Sequence, residues 1–163
     1  MEANKILLAI DGSENSRRAI DYVADVIKGC NRFEVKLLYI ERLPNRDFFA
    51  DEEAWKKECV KQRKEIHSFL SEGKQLLSER GVPEEMIKTD YVESCQSHLA
   101  DELTYCSRGT SIALDILHVL QTEGFGTVVV GRRGVSKAEE FMFGSVTNKI
   151  IHSAKGCAIW VVE

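Results

Sequence analysis

Apolar residues fall along this chain in two rhythms. Short unbroken runs alternate with longer stretches in which apolar positions return every three or four residues. The first run, residues 5 to 10, stops at Asp11-Gly12-Ser13. It is too short for a stable helix and reads as a strand buried on both faces. Ala19, Ile20, Val23, Ala24, Val26 and Ile27 then mark one face of a helix. Ser13 or Ser16 caps it, and Gly29 closes it. Residues 33 to 40 form a second apolar run, so the chain opens strand, helix, strand. That order predicts a right-handed parallel crossover.

A polar passage with Pro44 follows, then a long charged helix over residues 51 to 80. Trp55, Cys59, Ile66, Phe69, Leu70, Leu76 and Leu77 form its stripe; Gly73 weakens it and Gly81 ends it. Residues 86 to 92 predict a third strand. The segment Glu93 to Arg108 is read as a surface loop with a short helix; it covers the site, forms part of a dimer surface or is a tolerated insertion, the last being preferred. Cys95 and His98 stand three apart there, without the four-ligand set that a metal centre needs. Residues 110 to 120 predict an amphipathic helix ended by Gly124 and Gly126. Thr127 to Val130 is the fourth strand, and Cys157 to Val162 a last apolar run.

This alternation predicts an α/β fold: an open five-stranded parallel sheet with helices on both faces, as a single domain over residues 1–163. Such sheets take ligands beyond the carboxyl ends of their strands, where strand order reverses. Asp11, Ile40 and Gly131 all stand at predicted strand ends, which converges on one site.

Composition narrows the picture. Of 163 residues, 44% are apolar and 29% charged, the profile of a soluble protein. No apolar run approaches the roughly 20 residues of a membrane span. The first residues lack the layout of a signal peptide, so a cytoplasmic location is expected. A net charge of −4 gives no support for nonspecific nucleic-acid binding. The five cysteines form no C-x-x-C pair, and in a reducing cytosol they are expected to be free thiols.

The candidate chemistry lies in two places. After the fourth strand come Gly131 and Gly134, then, nine residues on, Gly144-Ser145 at the start of a helix-like segment. Glycines there let the backbone approach a ligand, and with Ser145 as N-cap the helix start favours an anion. This reads as a phosphate cradle, although glycines between strand and helix are also ordinary punctuation. Asp11 is the second place, either a ligand carboxylate or simply a capping acid.

These residues resemble the universal stress protein family over nearly the whole chain. Ile10-Asp11-Gly12-Ser13 is similar to the family's first-strand ending. Gly131-x2-Gly134-x9-Gly144-Ser145 fits the G-x2-G-x9-G-[ST] pattern of its ATP-binding members. The resemblance implies an adenine-nucleotide alpha hydrolase-like fold and an ATP site, with AMP or ADP as variants, served by Mg2+. Asp11 then holds the adenine or ribose side, with Ile10 and Gly12 shaping the floor and Ile40 meeting the adenine edge. Gly131, Arg132 and Gly134 run along the ribose and phosphates, while Gly144, Ser145, Val146 and Thr147 donate to the phosphates. It further implies a homodimer through the C-terminal strand near Ile159–Val162, whose edge would otherwise stay open.

The function expected is an ATP-binding regulatory or stress-response module, not an enzyme. No G-x4-G-K-[ST] loop is present, and no base is paired with a nucleophile. The alternatives are a weak ATP hydrolase, and a protein-interaction module with a degenerate nucleotide site.

Overall fold

The computed structural model describes residues 1–100, 105–132 and 144–163. Strands β1 (Glu2–Ile10), β2 (Glu34–Ile40), β3 (Ile87–Val92), β4 (Phe125–Gly131) and β5 (Ala158–Val162) form one sheet in the order β3-β2-β1-β4-β5. Each pairing is parallel. The described residues also hold α1 (Glu14–Ile27), α2 (Glu52–Glu79), α3 (Ile112–Thr122) and α4 (Ser145–Ser153).

Successive side chains of a strand face opposite sides, and here both sides are covered, which explains the unbroken apolar runs. Ile6, Leu8, Leu37 and Val129 meet α1 and α2 in one core. Leu7, Leu38, Val128 and Val130 meet α3 and α4 in the other. The chain leaves β1 toward β2 and β3 on one side, and later toward β4 and β5 on the other. The reversal between β1 and β4 opens a crevice at the carboxyl ends of those strands.

Two glycines have roles that periodicity misassigns. Gly126 lies inside β4 rather than ending α3; a Cβ there would stand 2.4 Å from the Glu2 carbonyl oxygen, so only glycine admits the β1 backbone. Gly73 is buried in α2, where a Cβ would lie 2.9 Å from the tips of Ile20 and Leu37. The roughly 1 kcal/mol that glycine costs a helix is offset by closer seating of α2 on α1 and β2.

The segment after β3 departs from expectation in two ways. Its described residues, 93–100 and 105–108, contain no helix. Cys95 and Cys106 are not free thiols: they form a disulfide, their Cα atoms 5.0 Å apart. The cause is a bridge between Ser94 and Ser107 that brings the two ends of the loop side by side. The Cys95 N–H donates to the Ser107 carbonyl (2.8 Å), and the Ser107 N–H to the Glu93 carbonyl (2.7 Å). Cys30, Cys59 and Cys157 are free. His98 lies against the Trp55 ring, centroids 5.5 Å apart.

Candidate functional site

At the crevice, the ends of β1, β2 and β4 surround a cavity of about 200 Å3. One wall is apolar: Leu38 and Ile40 from β2, Ile112 and Ile116 from α3, and Val130 from β4. The polar part of the lining is made of Asp11, Ser13, Asn15 and Ser16 from the β1–α1 turn, with Arg42 beyond β2. Gly144 to Thr147 complete it at the start of α4.

The β1–α1 turn is fixed by its own side chains. Asp11 Oδ1 accepts the Ser13 N–H (3.0 Å) and the Ser16 hydroxyl (2.7 Å), while the Asp11 N–H donates to Ser16 Oγ (2.9 Å). Ser13 is the N-cap of α1, accepting the Ser16 N–H at 3.3 Å. Asp11 thus shapes the turn and still stands exposed at the cavity. Gly12, at φ +78°, makes the bend possible; its missing side chain would meet Ile66 of α2, so it does not line the cavity.

At α4 the N-cap is Gly144 rather than Ser145. Gly144 has extended backbone, and its carbonyl accepts the Asn148 N–H (2.9 Å) as the first bond of the helix. Ser145, Val146 and Thr147 are therefore the first helical residues, whose N–H groups have no acceptor within the helix. No described side chain caps them, and no acid stands in the first turn. Both facts leave the positive end of the helix directed at the cavity.

Gly131 ends β4 against α1. A Cβ there would stand 3.0 Å from the carbonyl carbon and oxygen of Asn15. Arg132 is turned the other way, its N–H on the Val162 carbonyl (2.6 Å) and its guanidinium on Glu163 (2.7 Å), and it does not line the cavity. Gly134 lies outside the described residues. Of the expected residues, the cavity thus gathers Ile10, Asp11, Ile40, Gly131, Gly144, Ser145, Val146 and Thr147.

Sequence reasoning passed over Asn15, Ser16, Arg42, Ile112 and Ile116. The Asp-Gly-Ser-x-x-Ser spacing could have flagged Ser16, and Arg42 is the first cation after the second strand. Ile112 and Ile116 carry no such mark, because a pair four apart on a helix looks like ordinary core.

Behind the cavity, buried Glu41 ties β2 to the segment after β3. Its carboxylate accepts the Tyr91 hydroxyl (2.8 Å), the Ser94 N–H (2.8 Å) and Arg63 Nη2 (3.3 Å). Arg63 also reaches Glu93 (2.8 Å) and lies over the Tyr91 ring. Burial, then the bond to Glu41, push the Tyr91 phenol far above its ordinary value. Burial, with the Glu41 charge beside it, raises Tyr39 as well. Both phenols ionise near pH 10 in the unfolded chain and only at higher pH in the fold. Their contribution is therefore full below pH 10 and is lost as pH climbs beyond it. Urea midpoints are expected to fall between pH 9 and pH 11, less steeply in Tyr91→Phe; parallel profiles for the two proteins would contradict this.

A doubly wound parallel sheet with a half-apolar, half-polar cavity at its switch point defines an α/β ligand-site architecture. The family model described as the universal stress protein family matches residues 2–163, and the chain belongs to that family. The chain is 29% identical to universal stress protein YxiE of Bacillus subtilis (strain 168) over 176 aligned residues, 98% of this chain and 99% of that protein. Universal stress protein UspA from Lactobacillus plantarum has the same fold with a TM-score of 0.71 at 15% identity, over 100% of this chain and 99% of that one. The universal stress protein from Archaeoglobus fulgidus in complex with dAMP superposes with a TM-score of 0.56 at 16% identity, over 99% of this chain and 98% of that one.

Proposed function

We propose that this protein is a cytoplasmic, ATP-binding regulatory protein of the stress response, folded as one domain and acting as a homodimer. The observation that carries the nucleotide reading is that the first turn of α4, not capped by any described side chain, lines one cavity together with an apolar niche. A triphosphate takes the amides of Ser145, Val146 and Thr147, and the base enters between Ile40, Ile112 and Ile116. Asp11 accepts hydroxyl or amine hydrogens from the sugar or base end. The dAMP carried by the Archaeoglobus fulgidus relative supports an adenine nucleotide as the ligand class.

Magnesium fits this site only as a companion of the phosphates. The described residues bring no three His, Cys, Asp or Glu side chains together. Magnesium keeps most of its waters and takes phosphate oxygens, with one or two carboxylates at most. When bound, it neutralises phosphate charge.

Isothermal titration with ATP and Mg2+ tests the reading, and absence of heat at high protein concentration overturns it. Asp11→Asn separates the acid's two roles, since an amide oxygen can still accept from Ser13 and Ser16. Its stability is expected to stay within about 0.5 kcal/mol of wild type. Its ATP affinity is expected to fall roughly ten- to a hundredfold with the lost charged hydrogen bond. Equal affinity would leave Asp11 a turn residue only.

The dimer reading rests on β5, which pairs with β4 and with no other described strand. Ile159, Trp160, Val161 and Val162 are only half-buried there, and Trp160 meets exposed Tyr22 of α1 edge to face at 6.1 Å. An apolar sheet edge continued onto a helix suits pairing about a two-fold axis. Sedimentation equilibrium should return twice the 18.4 kDa chain mass; the single-chain value would overturn it.

A further inference from the structure

We propose that Cys95 and Cys106 are a thiol–disulfide exchange site whose redox state sets how tightly the neighbouring cavity holds its nucleotide. This rests on the nucleotide reading above. The bridge closes an eleven-residue separation in sequence and holds Ser94 beside Ser107. Those two serines reach two different elements that line the cavity, β2 and α3. The Ser94 N–H donates to Glu41, which sits between Ile40 and Arg42 of the lining. The Ser107 hydroxyl donates to Asp115 of α3 at 2.6 Å, and α3 supplies Ile112 and Ile116. Tyr105 donates to the same carboxylate at 3.1 Å. One covalent link therefore anchors both the end of β2 and the start of α3.

Cys95 is exposed and Cys106 half-buried, so an incoming thiolate reaches the Cys95 sulfur first. A cellular dithiol reductant attacks there; the bridge breaks, and the Cys106 thiolate leaves and takes a proton. The reductant's second thiol then displaces the Cys95 thiol from the mixed disulfide. Two electrons and two protons pass to the cysteine pair, and the reductant ends as a disulfide. A disulfide in a cytosolic protein is usually of this responsive kind. Without the link, the loop ends regain their freedom, and the Ser94 and Ser107 anchors are held only by their hydrogen bonds.

The test compares ATP affinity by isothermal titration in protein oxidised with glutathione disulfide and in protein reduced with dithiothreitol. Reduction is expected to weaken binding roughly five- to tenfold, the range of a modest coupling between two sites. The double variant Cys95→Ser, Cys106→Ser should match the reduced protein in both buffers, and Cys30→Ser, Cys157→Ser should keep the full response. Amide hydrogen exchange without nucleotide should show protection at Glu41, Ser94 and Ser107 lost on reduction. Equal affinities in the two states, or five free thiols by intact mass after oxidation, overturn the proposal. If ATP binds in neither state the nucleotide reading fails. Exchange at Glu41, Ser94 and Ser107 then decides the link separately: unchanged protection overturns it, and lost protection upholds it as a control on the cavity wall.

Discussion

A Gly131→Val variant is expected to lose about 2 kcal/mol of stability and to bind adenine nucleotide roughly thirtyfold more weakly. Two effects oppose each other at this position. Valine suits a strand better than glycine, a preference worth up to about 1 kcal/mol. Against that, the first added carbon already stands 3.0 Å from the Asn15 backbone, and valine adds two methyl groups beyond it. Overpacking against main chain costs about 1–3 kcal/mol, so the clash wins. Relief requires the start of α1 to retreat, and that start carries Asn15 and Ser16 of the cavity wall. Ser16 also holds Asp11 by hydrogen bonds, so the retreat disturbs the acid as well as Asn15; two polar contacts weakened at about 1 kcal/mol each give the thirtyfold figure. Urea denaturation and titration with ATP read the two effects; a variant as stable and as tight as wild type would show that the β4–α1 approach is slack.

Trp55→Ala is expected to cost about 4 kcal/mol, in the range for emptying a buried indole site. That is a large share of the roughly 5–15 kcal/mol by which a domain is stable. Trp55 is 1% exposed. Its indole N–H donates to the Pro44 carbonyl (2.9 Å), the Arg46 guanidinium lies 4.1 Å over its ring, and His98 leans on it. It therefore pins the β2–α2 connection and the segment after β3 to one helix. Trp55→Phe keeps most of the packing and should lose about 1–2 kcal/mol with the hydrogen bond and part of the cation contact. Far-UV circular dichroism against urea measures both variants. A loss below about 1 kcal/mol in the alanine variant would mean that these loops stand without their anchor.

How much of this was legible beforehand depended on range. The strands were readable because burial on both faces leaves unbroken apolar runs, as in residues 5 to 10 and 127 to 130. Asp11, Ile40, Gly131 and Gly144 to Thr147 were readable because strand ends and helix starts of an alternating chain converge on one crevice. Which residue caps α4 was not, since glycine and serine both suit that place and only the extended backbone of Gly144 decides it. Arg132 was drawn away by Glu163 and the end of β5, a partner fixed by sheet order rather than by neighbouring residues. The Cys95–Cys106 pair was invisible for a related reason. An eleven-residue spacing has no signature, and a reducing compartment favours free thiols.

Helix α2 has a consequence for how this fold can diversify. Its 28 residues extend about 42 Å, against about 23 Å for the seven residues of β2. Leu70 and Leu77 belong to the core under the sheet, whereas buried Trp55 and Cys59 belong to neither sheet core. The leading turns work as a jib projecting past the strands, and Trp55 and Arg63 are the hooks from which two loops hang. Neither hook belongs to the two sheet cores, so a change in either loop loads the projecting turns and leaves the strands' registration alone.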